Sequence, residues 1–453
     1  MHSVDMGLSI LFQLGYELTS PATSKEILPL MKQKQQDLAV PDDVLLSYTK
    51  MTDTRHLMAM KCLAKLEMTT AMVKPSLHPI VTFKMIELTV DYGLSPTTPV
   101  GFAYFAGLLL KHGEMQAGCR FAKLAMQMLD QLGSKEVAGE IIFKSTQVLC
   151  FHLPLLSVNE YRLRGQEAAL AAGDVSFACG LKLIYCVTMF WAGSNLSTVK
   201  DTYAKAGRYM KGQNHLTSYN CLLLSYHSIL ALLGESIEEE VMEDRLTNPY
   251  QRLTYHFQHM FLSFVLNVYN DMEQHAERFF ECRKVFECKM SIWYAMHEFY
   301  GGLVSFRMYR ETGDTFWLDR GKQCKSAVQR WAEHGSSWNF EQKHFLLEAE
   351  EHYCQFNFLA AQTSYDSAIS SSRIHKFVND EALASELAGF FYLKVGMSAE
   401  SIQHLTCAHE KYIEWGASFK ANAIFDFVQE TFGGNSPYSS SIIAESYHDD
   451  QGS

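Results

Sequence analysis

The segments Asn379–Gly396 (NDEALASELAGFFYLKVG) and Ser398–Trp415 (SAESIQHLTCAHEKYIEW) decide the fold of this chain of 453 residues. In each segment, apolar side chains recur every three or four residues, which is the period of one face of an α-helix. Gly396 and Gly416 end the two segments, and glycine commonly follows the last turn of a helix because it tolerates a left-handed backbone. The pair therefore predicts an antiparallel helical hairpin.

The order of small and large side chains in this hairpin follows the spacing of a tetratricopeptide repeat. Small residues at Gly389 and Ala408 predict a close approach of the two helices. The larger Tyr392 and Leu405 are expected to fill the groove between them, and Gly396 forms the turn. The sequence thus assigns these five residues to packing, with no chemical role.

The same pattern recurs in weaker form earlier in the chain. Forty residues upstream, its second half is repeated at Ala361, Tyr365 and Ala368. A looser copy lies at Ala117 and Phe121. Because the spacing of 40 exceeds the roughly 34 residues of a standard repeat, these repeats are degenerate.

Glycines lie about one helix length apart, as the intervals of 20, 40 and 20 residues between Gly113, Gly133, Gly173 and Gly193 show. With 10 prolines in the chain and almost no alternation of strand type, about twenty helices fit between Val4 and Phe432. A hairpin cannot bury its apolar face alone. The predicted fold is therefore all-α, a tetratricopeptide-like solenoid of stacked antiparallel helix hairpins.

The expected organisation is one continuous array over residues 1–432, with room for bends near Leu94–Val100 and Glu235–Pro249. Residues 433–453 are rich in serine, asparagine and acidic residues, a composition typical of a disordered tail. The acidic run Glu235–Asp244 is interpreted as solvated charge, with an acidic docking strip as the alternative.

Composition excludes several classes of function. The net charge of −11 and the lack of a dense Lys/Arg run argue against nucleic-acid binding. Apolar stretches such as Phe102–Leu110 are too short to span a bilayer, so no membrane insertion is expected. The 11 cysteines form no CxxC pair and no signal peptide is evident, which together favour a reducing, cytoplasmic location.

Catalytic signatures are missing from the sequence. It contains no GxxxxGK[ST] phosphate loop, no kinase HRD or DFG motif and no GxSxG elbow. The chain is therefore predicted not to be an enzyme and to carry no cofactor and no metal.

One group of histidines has a spacing that partly resembles that of a metal site. His256 and His259 are one helical turn apart, with His275 and Cys282 downstream, but zinc sites favour tighter spacing. Packing between helices is the favoured interpretation of these four residues.

Two other histidine motifs are also weighed and set aside. His404 and Cys407 are one turn apart, whereas His409 is rotated off that face. His297 lacks the surroundings of a phosphoacceptor histidine. Aromatic residues make up 13% of the chain; they fill the core or line a groove for a peptide or small ligand, and the sequence does not separate these alternatives.

The segments Asn379–Gly396 and Ala408–Lys420 resemble the end of the helical region of very large signalling proteins. Those proteins join a serine/threonine kinase, an AAA-type predicted ATPase, this helical region, a GAF sensor and a sensor histidine kinase. Leu14–Leu18, Phe102–Gly113 and Gly118–Leu129 are similar to earlier parts of that region. The kinase and ATPase motifs of the family have no counterpart here.

The resemblance implies a relay between an ATP-driven switch and sensor modules. The favoured hypothesis is a non-catalytic protein-interaction module of signal transduction, either a stand-alone copy or a fragment of a larger protein. Its expected partner is a kinase or ATPase module, in cis or in trans. The alternative is the small-ligand sensor arm of an ATP-dependent switch, which predicts a deep aromatic cavity. A divergent enzyme or metal protein is the third and least favoured hypothesis.

Overall fold

Helix-forming residues and left-handed glycines shape the chain along its whole described length. The structure is a computed structural model. It describes residues 2–18, 24–237, 241, 243, 246, 248–285 and 291–433. Over these residues it contains 21 α-helices, two short 3₁₀ helices and no strand; an isolated parallel bridge joins Lys50 to Leu94. The predicted all-α class, with helices in antiparallel hairpins, is confirmed.

The first helices pack mainly on their neighbours in sequence. They are α1 (His2–Gln13), α2 (Ser24–Asp37), α3 (Asp42–Leu46), α4 (Thr54–Val73), α5 (His78–Tyr92), α6 (Thr98–Lys111), α7 (Met115–Leu132), α8 (Ala138–Leu149) and α9 (Val158–Ala171). The 3₁₀ helices are Lys135–Val137 and Leu155–Ser157. Nearly every residue of α6 is buried, because α4, α5, α7 and α8 all pack on it.

The remaining helices continue the same alternation to the end of the described chain. They are α10 (Val175–Trp191), α11 (Leu196–Gly212), α12 (Leu216–Leu233), α13 (Pro249–Val265), α14 (Tyr269–Val285), α15 (Ile292–Thr312), α16 (Thr315–His334), α17 (Ser337–Cys354), α18 (Phe358–His375), α19 (Val378–Lys394), α20 (Ser398–Trp415) and α21 (Ser418–Phe432).

The chain divides into two compact units. The first holds the described residues up to 153, with 157–182 and 291–292, and the second holds 154–156 and the other described residues from 183 onward. The division falls inside α10, and the single continuous array expected over residues 1–432 stays a prediction. That helix has buried residues on both sides of the division, among them Ala178 in the first unit and Trp191 in the second. The predicted tail, 433–453, lies outside the described residues except for Gly433.

In the second unit, early helices pack on the last ones. Helix α12 contacts α21, and a Cβ built on Gly234 would lie 3.5 Å from the Cβ of Phe419. The side-chain amide of Asn195 donates a hydrogen bond of 3.3 Å to the backbone carbonyl of Glu414. This unit therefore returns on itself instead of ending as an open stack.

Helix α12 is also long and apolar enough to cross a membrane, with a mean hydropathy of 1.3 over Leu216–Leu233. The expectation of no membrane insertion rested on shorter stretches such as Phe102–Leu110 and did not take this helix into account. In the structure, 61% of this window is buried, and α12 packs on α11, α13 and α21. Buried core helices also reach this length and hydropathy, and α12 is buried in the way that a core helix is.

The α19–α20 hairpin shows how small residues bring two helices together. A Cβ built on Gly389 would lie only 2.6 Å from Cγ of Leu405, so a larger side chain would force the helices apart. The Ser401 hydroxyl donates a hydrogen bond of 2.9 Å to the Gly389 carbonyl. Ala408 is fully buried, and Tyr392 stacks on His404 with 5.0 Å between ring centroids.

The other repeat positions named from the sequence lie on α18 and α7. Ala361, Tyr365 and Ala368 are fully buried on α18. On α7, Phe121 is buried and Ala117 is half-buried. Their equivalence as repeat positions stays a prediction.

Candidate functional site

A cavity of about 860 Å³ lies in the second unit. Its walls are the C-terminal halves of α15, α17 and α19, the end of α13, the start of α14, and Phe427 of α21. We call it the central groove. It exists because successive hairpins place the same ends of alternate helices side by side.

Helix ends explain the cations in the central groove. The C-terminus of a helix carries a partial negative charge, which favours Lys and Arg in its last turn. Arg310 is in the last turn of α15 and Lys394 is in that of α19. Both side chains line the groove.

A buried ion pair fixes one wall. Arg310 lies 2.7 Å from the Glu350 carboxylate, and the Tyr365 hydroxyl donates a hydrogen bond to the same carboxylate. Burial alone would lower the pKa of Arg310, but the charge of Glu350 outweighs it and the pKa is raised. The guanidinium also lies over the Tyr353 ring, 4.6 Å from its centroid. Arg310 therefore remains charged and is held in one position.

A second buried network fixes the part of the wall that α19 forms. The Glu386 carboxylate accepts hydrogen bonds of 2.6 Å from both Lys420 and the Tyr412 hydroxyl. The Asn267 amide donates a longer one of 3.4 Å. Burial and the nearby Glu386 raise the pKa of Tyr412 well above its usual value, so its hydroxyl keeps its proton and donates.

The charge balance of the groove favours an anionic ligand. Its third carboxylate, Glu311, pairs with Arg307 at 2.9 Å, so all three lining carboxylates have a cation of the protein beside them. Lys394 is exposed and, among the described residues, it pairs with no carboxylate. One lining cation is thus left to meet a ligand.

Aromatic side chains form the rim. The Tyr353 and Phe391 rings meet edge to face at 5.1 Å, and Phe358 lies 6.0 Å from Phe391. Phe356 lies 6.2 Å from Phe358 and is 78% exposed. Single exposed apolar residues are ordinary, but a large one at the edge of a concave aromatic surface indicates an interaction site.

Phe356 also holds an unfavourable backbone conformation. Its φ is 58°, in the left-handed region that costs an L-residue about 1–2 kcal/mol. Such strain persists where the surrounding structure imposes it, and it is concentrated at functional sites.

The four residues that the sequence groups as a metal candidate lie in the same unit, and three of them meet. Nδ1 of His256 is 3.2 Å from Nδ1 of His275, and the ring of His259 stacks on His275 at 4.7 Å. Burial and the neighbouring His275 lower the pKa of His259 to about 4. Burial raises the pKa of the Cys282 thiol. Among the described residues, no group of three or more His, Cys, Asp or Glu side chains has the geometry to hold a metal ion.

The other candidate histidines are dispersed. His404 stacks on Tyr392, whereas the His409 ring lies 5.9 Å from Phe425. Cys407 accepts a contact of 3.6 Å from the Ser385 hydroxyl.

His297 is closed off from solvent. Its ring lies against Phe257 at 4.4 Å, and burial and the nearby Arg283 hold its pKa well below the usual value. A buried neutral imidazole in this setting packs the core.

Comparisons with known proteins give a fold likeness of low similarity. No family model matches the chain, and no curated protein matches it. One solved structure, described as "Crystal Structure of Rap Protein Complexed with Competence and Sporulation Factor", is similar over 91% of this chain and 99% of that one. The identity is 11% and the TM-score is 0.40, levels that carry no inference about what this chain binds. The description of that structure names no kinase or ATPase.

Proposed function

We propose that this chain is a non-catalytic helical-repeat module that binds a peptide segment of a protein partner in the central groove. The observation that carries the proposal is the pairing of an aromatic rim with an unpaired exposed cation, Lys394, in a cavity of about 860 Å³. Stacked hairpins are commonly used for recognition through such concave surfaces.

The groove is organised before any ligand arrives. The pairs Arg310–Glu350 and Lys420–Glu386 are buried and charged, so the walls do not need to rearrange. Binding to a fixed surface loses less side-chain entropy, which leaves more of the contact energy as affinity. The aromatic rim supplies apolar contact, and Lys394 supplies selectivity for acidic segments.

A kinase or ATPase signalling module is the partner we propose, in cis or in trans, in a cytoplasmic relay. The support is the resemblance of Asn379–Gly396 and Ala408–Lys420 to the helical region of multidomain signalling kinases. Ten cysteines among the described residues are free thiols, which fits a reducing compartment.

A small-ligand sensor is the second candidate. The volume of the groove lies within the roughly 300–1,000 Å³ of small-molecule sites, and polar groups converge on it from two walls. A small ligand would bind to the purified chain without any protein partner.

Affinity purification from the native cell distinguishes the two candidates. The full chain is the bait, and the groove variant combines Phe356→Ser with Lys394→Glu. A matched control combines Phe12→Ser with Lys205→Glu, because both residues are exposed and lie outside the groove. We expect the groove variant, and not the control, to lose a specific protein, whose purified form then binds in a calorimetric titration.

Two results would contradict the peptide proposal, and a third would contradict the non-catalytic assignment. If both variants capture every protein equally, the groove is not the binding site. A small metabolite that co-purifies with the natural chain and is lost in the groove variant supports the sensor instead. Turnover of ATP by the purified chain, above a mock-purified control, would contradict the non-catalytic assignment.

A further inference from the structure

The central groove selects a ligand by two properties, both set by its described residues. It offers aromatic surface from Tyr353, Phe356 and Phe391, and it offers the exposed ammonium of Lys394. Its own carboxylates are already neutralised by Arg307, Arg310 and Lys420. A fitting segment therefore carries large apolar side chains beside carboxylates, and no Lys or Arg to meet Lys394.

Such a segment follows α21 in this chain. Residues 434–453 (GNSPYSSSIIAESYHDDQGS) lie outside the described residues. Their large apolar side chains are Tyr438, Ile442, Ile443 and Tyr447. Their carboxylates are Glu445, Asp449 and Asp450, and the segment contains no Lys or Arg.

The segment follows directly after a helix that lines the groove. Phe427 of α21 lines the groove, and α21 ends at Phe432. An extended chain spans about 3.3–3.6 Å per residue, so 20 residues extend at most about 66–72 Å from the end of a helix that lines the groove. For groups that a short linker joins in one chain, the effective concentration is commonly in the millimolar range.

We propose that residues 434–453 bind in the central groove of the same chain and compete there with the protein partner. The inference rests on the proposed function, because it assigns a second ligand to the same site. With an effective concentration of about 1 mM and a dissociation constant of about 100 μM for the free peptide, the segment occupies the groove about 90% of the time. Partner binding to the full chain is then about tenfold weaker than binding to a chain without the segment.

The test compares the full chain with residues 1–433, which retain every described helix. The probe is a fluorescent peptide of residues 434–453, blocked at both ends so that only side chains carry charge. Fluorescence anisotropy should show the peptide binding to 1–433 and binding about tenfold more weakly to the full chain. Lys394→Glu in 1–433 should weaken binding about fivefold, and Lys205→Glu should leave it unchanged. Circular dichroism confirms that every variant is folded.

Each outcome supports or overturns the inference. Equal binding of the peptide to both chains, binding unaffected by Lys394→Glu, or no binding to 1–433 would overturn it. Dimerisation of 1–433 that depends on Phe356 would assign the groove to a second copy instead. If truncation leaves partner capture unchanged while the groove variant still loses the partner, the inference fails and the proposed function stands. If the groove variant keeps its partners, the proposed function fails whatever the peptide does.

Discussion

Phe356 and Gly396 end helices α17 and α19 with the same left-handed turn, 40 residues apart. Their φ angles are 58° and 84°. The amide of each donates a hydrogen bond of 3.1 Å to the carbonyl three residues back, at Tyr353 and Leu393. The chain thus holds an exposed phenylalanine at the groove where the next hairpin holds glycine, which adopts this conformation without strain.

Exchanging these residues separates strain from binding. Phe356→Gly should raise the free energy of unfolding by about 0.5–1 kcal/mol, because relief of backbone strain exceeds the entropy cost of glycine. The same change should weaken ligand binding in the groove. Urea unfolding and anisotropy measure the two effects. The reciprocal control is Gly396→Phe, which should lower the free energy of unfolding by about 1–2 kcal/mol through backbone strain. No steric clash adds to this loss, because a Cβ at that position meets nothing within 4 Å. A destabilised Phe356→Gly would show that the side chain serves packing.

Ala408→Arg should disrupt the α19–α20 hairpin. Ala408 is fully buried, and burying an unpaired charge there should cost about 3 kcal/mol or more. Hydrogen exchange should show the loss of protection concentrated in residues 380–432. Ala399→Arg is the control, because Ala399 is exposed in the first turn of the same helix. Unchanged protection after Ala408→Arg would contradict the helix contact.

Acid should destabilise the second unit through His259. Burial and the neighbouring His275 lower the pKa of His259 to about 4 from 6.5. Between these values the unfolded chain binds a proton that the folded chain does not, so stability falls as pH drops through this window. We expect a loss of about 1–2 kcal/mol between pH 7 and pH 5 from this residue. Urea unfolding of His259→Gln should show a smaller loss over the same range; an identical pH dependence would exclude the residue as the cause.

Glu67 in the first unit should behave as a neutral group. Its carboxyl lies 3.1 Å from Nε2 of His78, yet burial raises the pKa of Glu67 well above its usual value and lowers that of His78 to about 3. His78 is therefore uncharged at pH 7, and we expect burial to favour the protonated, neutral form of Glu67 as well. Glu67→Gln should therefore change stability by less than about 1 kcal/mol, whereas Glu67→Ala should cost about 2–3 kcal/mol. A Glu67→Gln loss as large as that of Glu67→Ala would indicate a charged pair.

The sequence predicts the helices well because their signals are local. The apolar period of Ser398–Trp415 and the turn glycines Gly396 and Gly416 are read within one segment, and each corresponds to an observed helix or helix end. The division inside α10 was not foreseen, because the apolar character of that helix is uninterrupted. Nothing in its composition tells which core each end enters.

An aromatic groove was one of two alternatives that the sequence left open, but the residues that line it were not predicted, because they come from helices about 40 residues apart. Tyr365 was singled out as a packing residue, and its hydrogen bond to Glu350 depends on tertiary structure. A usable signal was present in ionisable residues within apolar stripes, as at Glu386 between Leu383 and Phe390. Buried ionisable groups of that kind need a partner, and searching for the partners would have indicated the two networks.

The contact between α12 and α21 constrains how this protein can evolve. Open repeat arrays lengthen or shorten by whole hairpins, since each repeat touches only its neighbours. In the second unit, insertion or deletion of one hairpin between α13 and α20 would separate Gly234 from Phe419 and expose both surfaces. We therefore expect homologues to keep the number of hairpins in this unit fixed and to vary its turns instead. Unfolding of the described part of the unit should also be concerted, because its last described helix, α21, is held by α12.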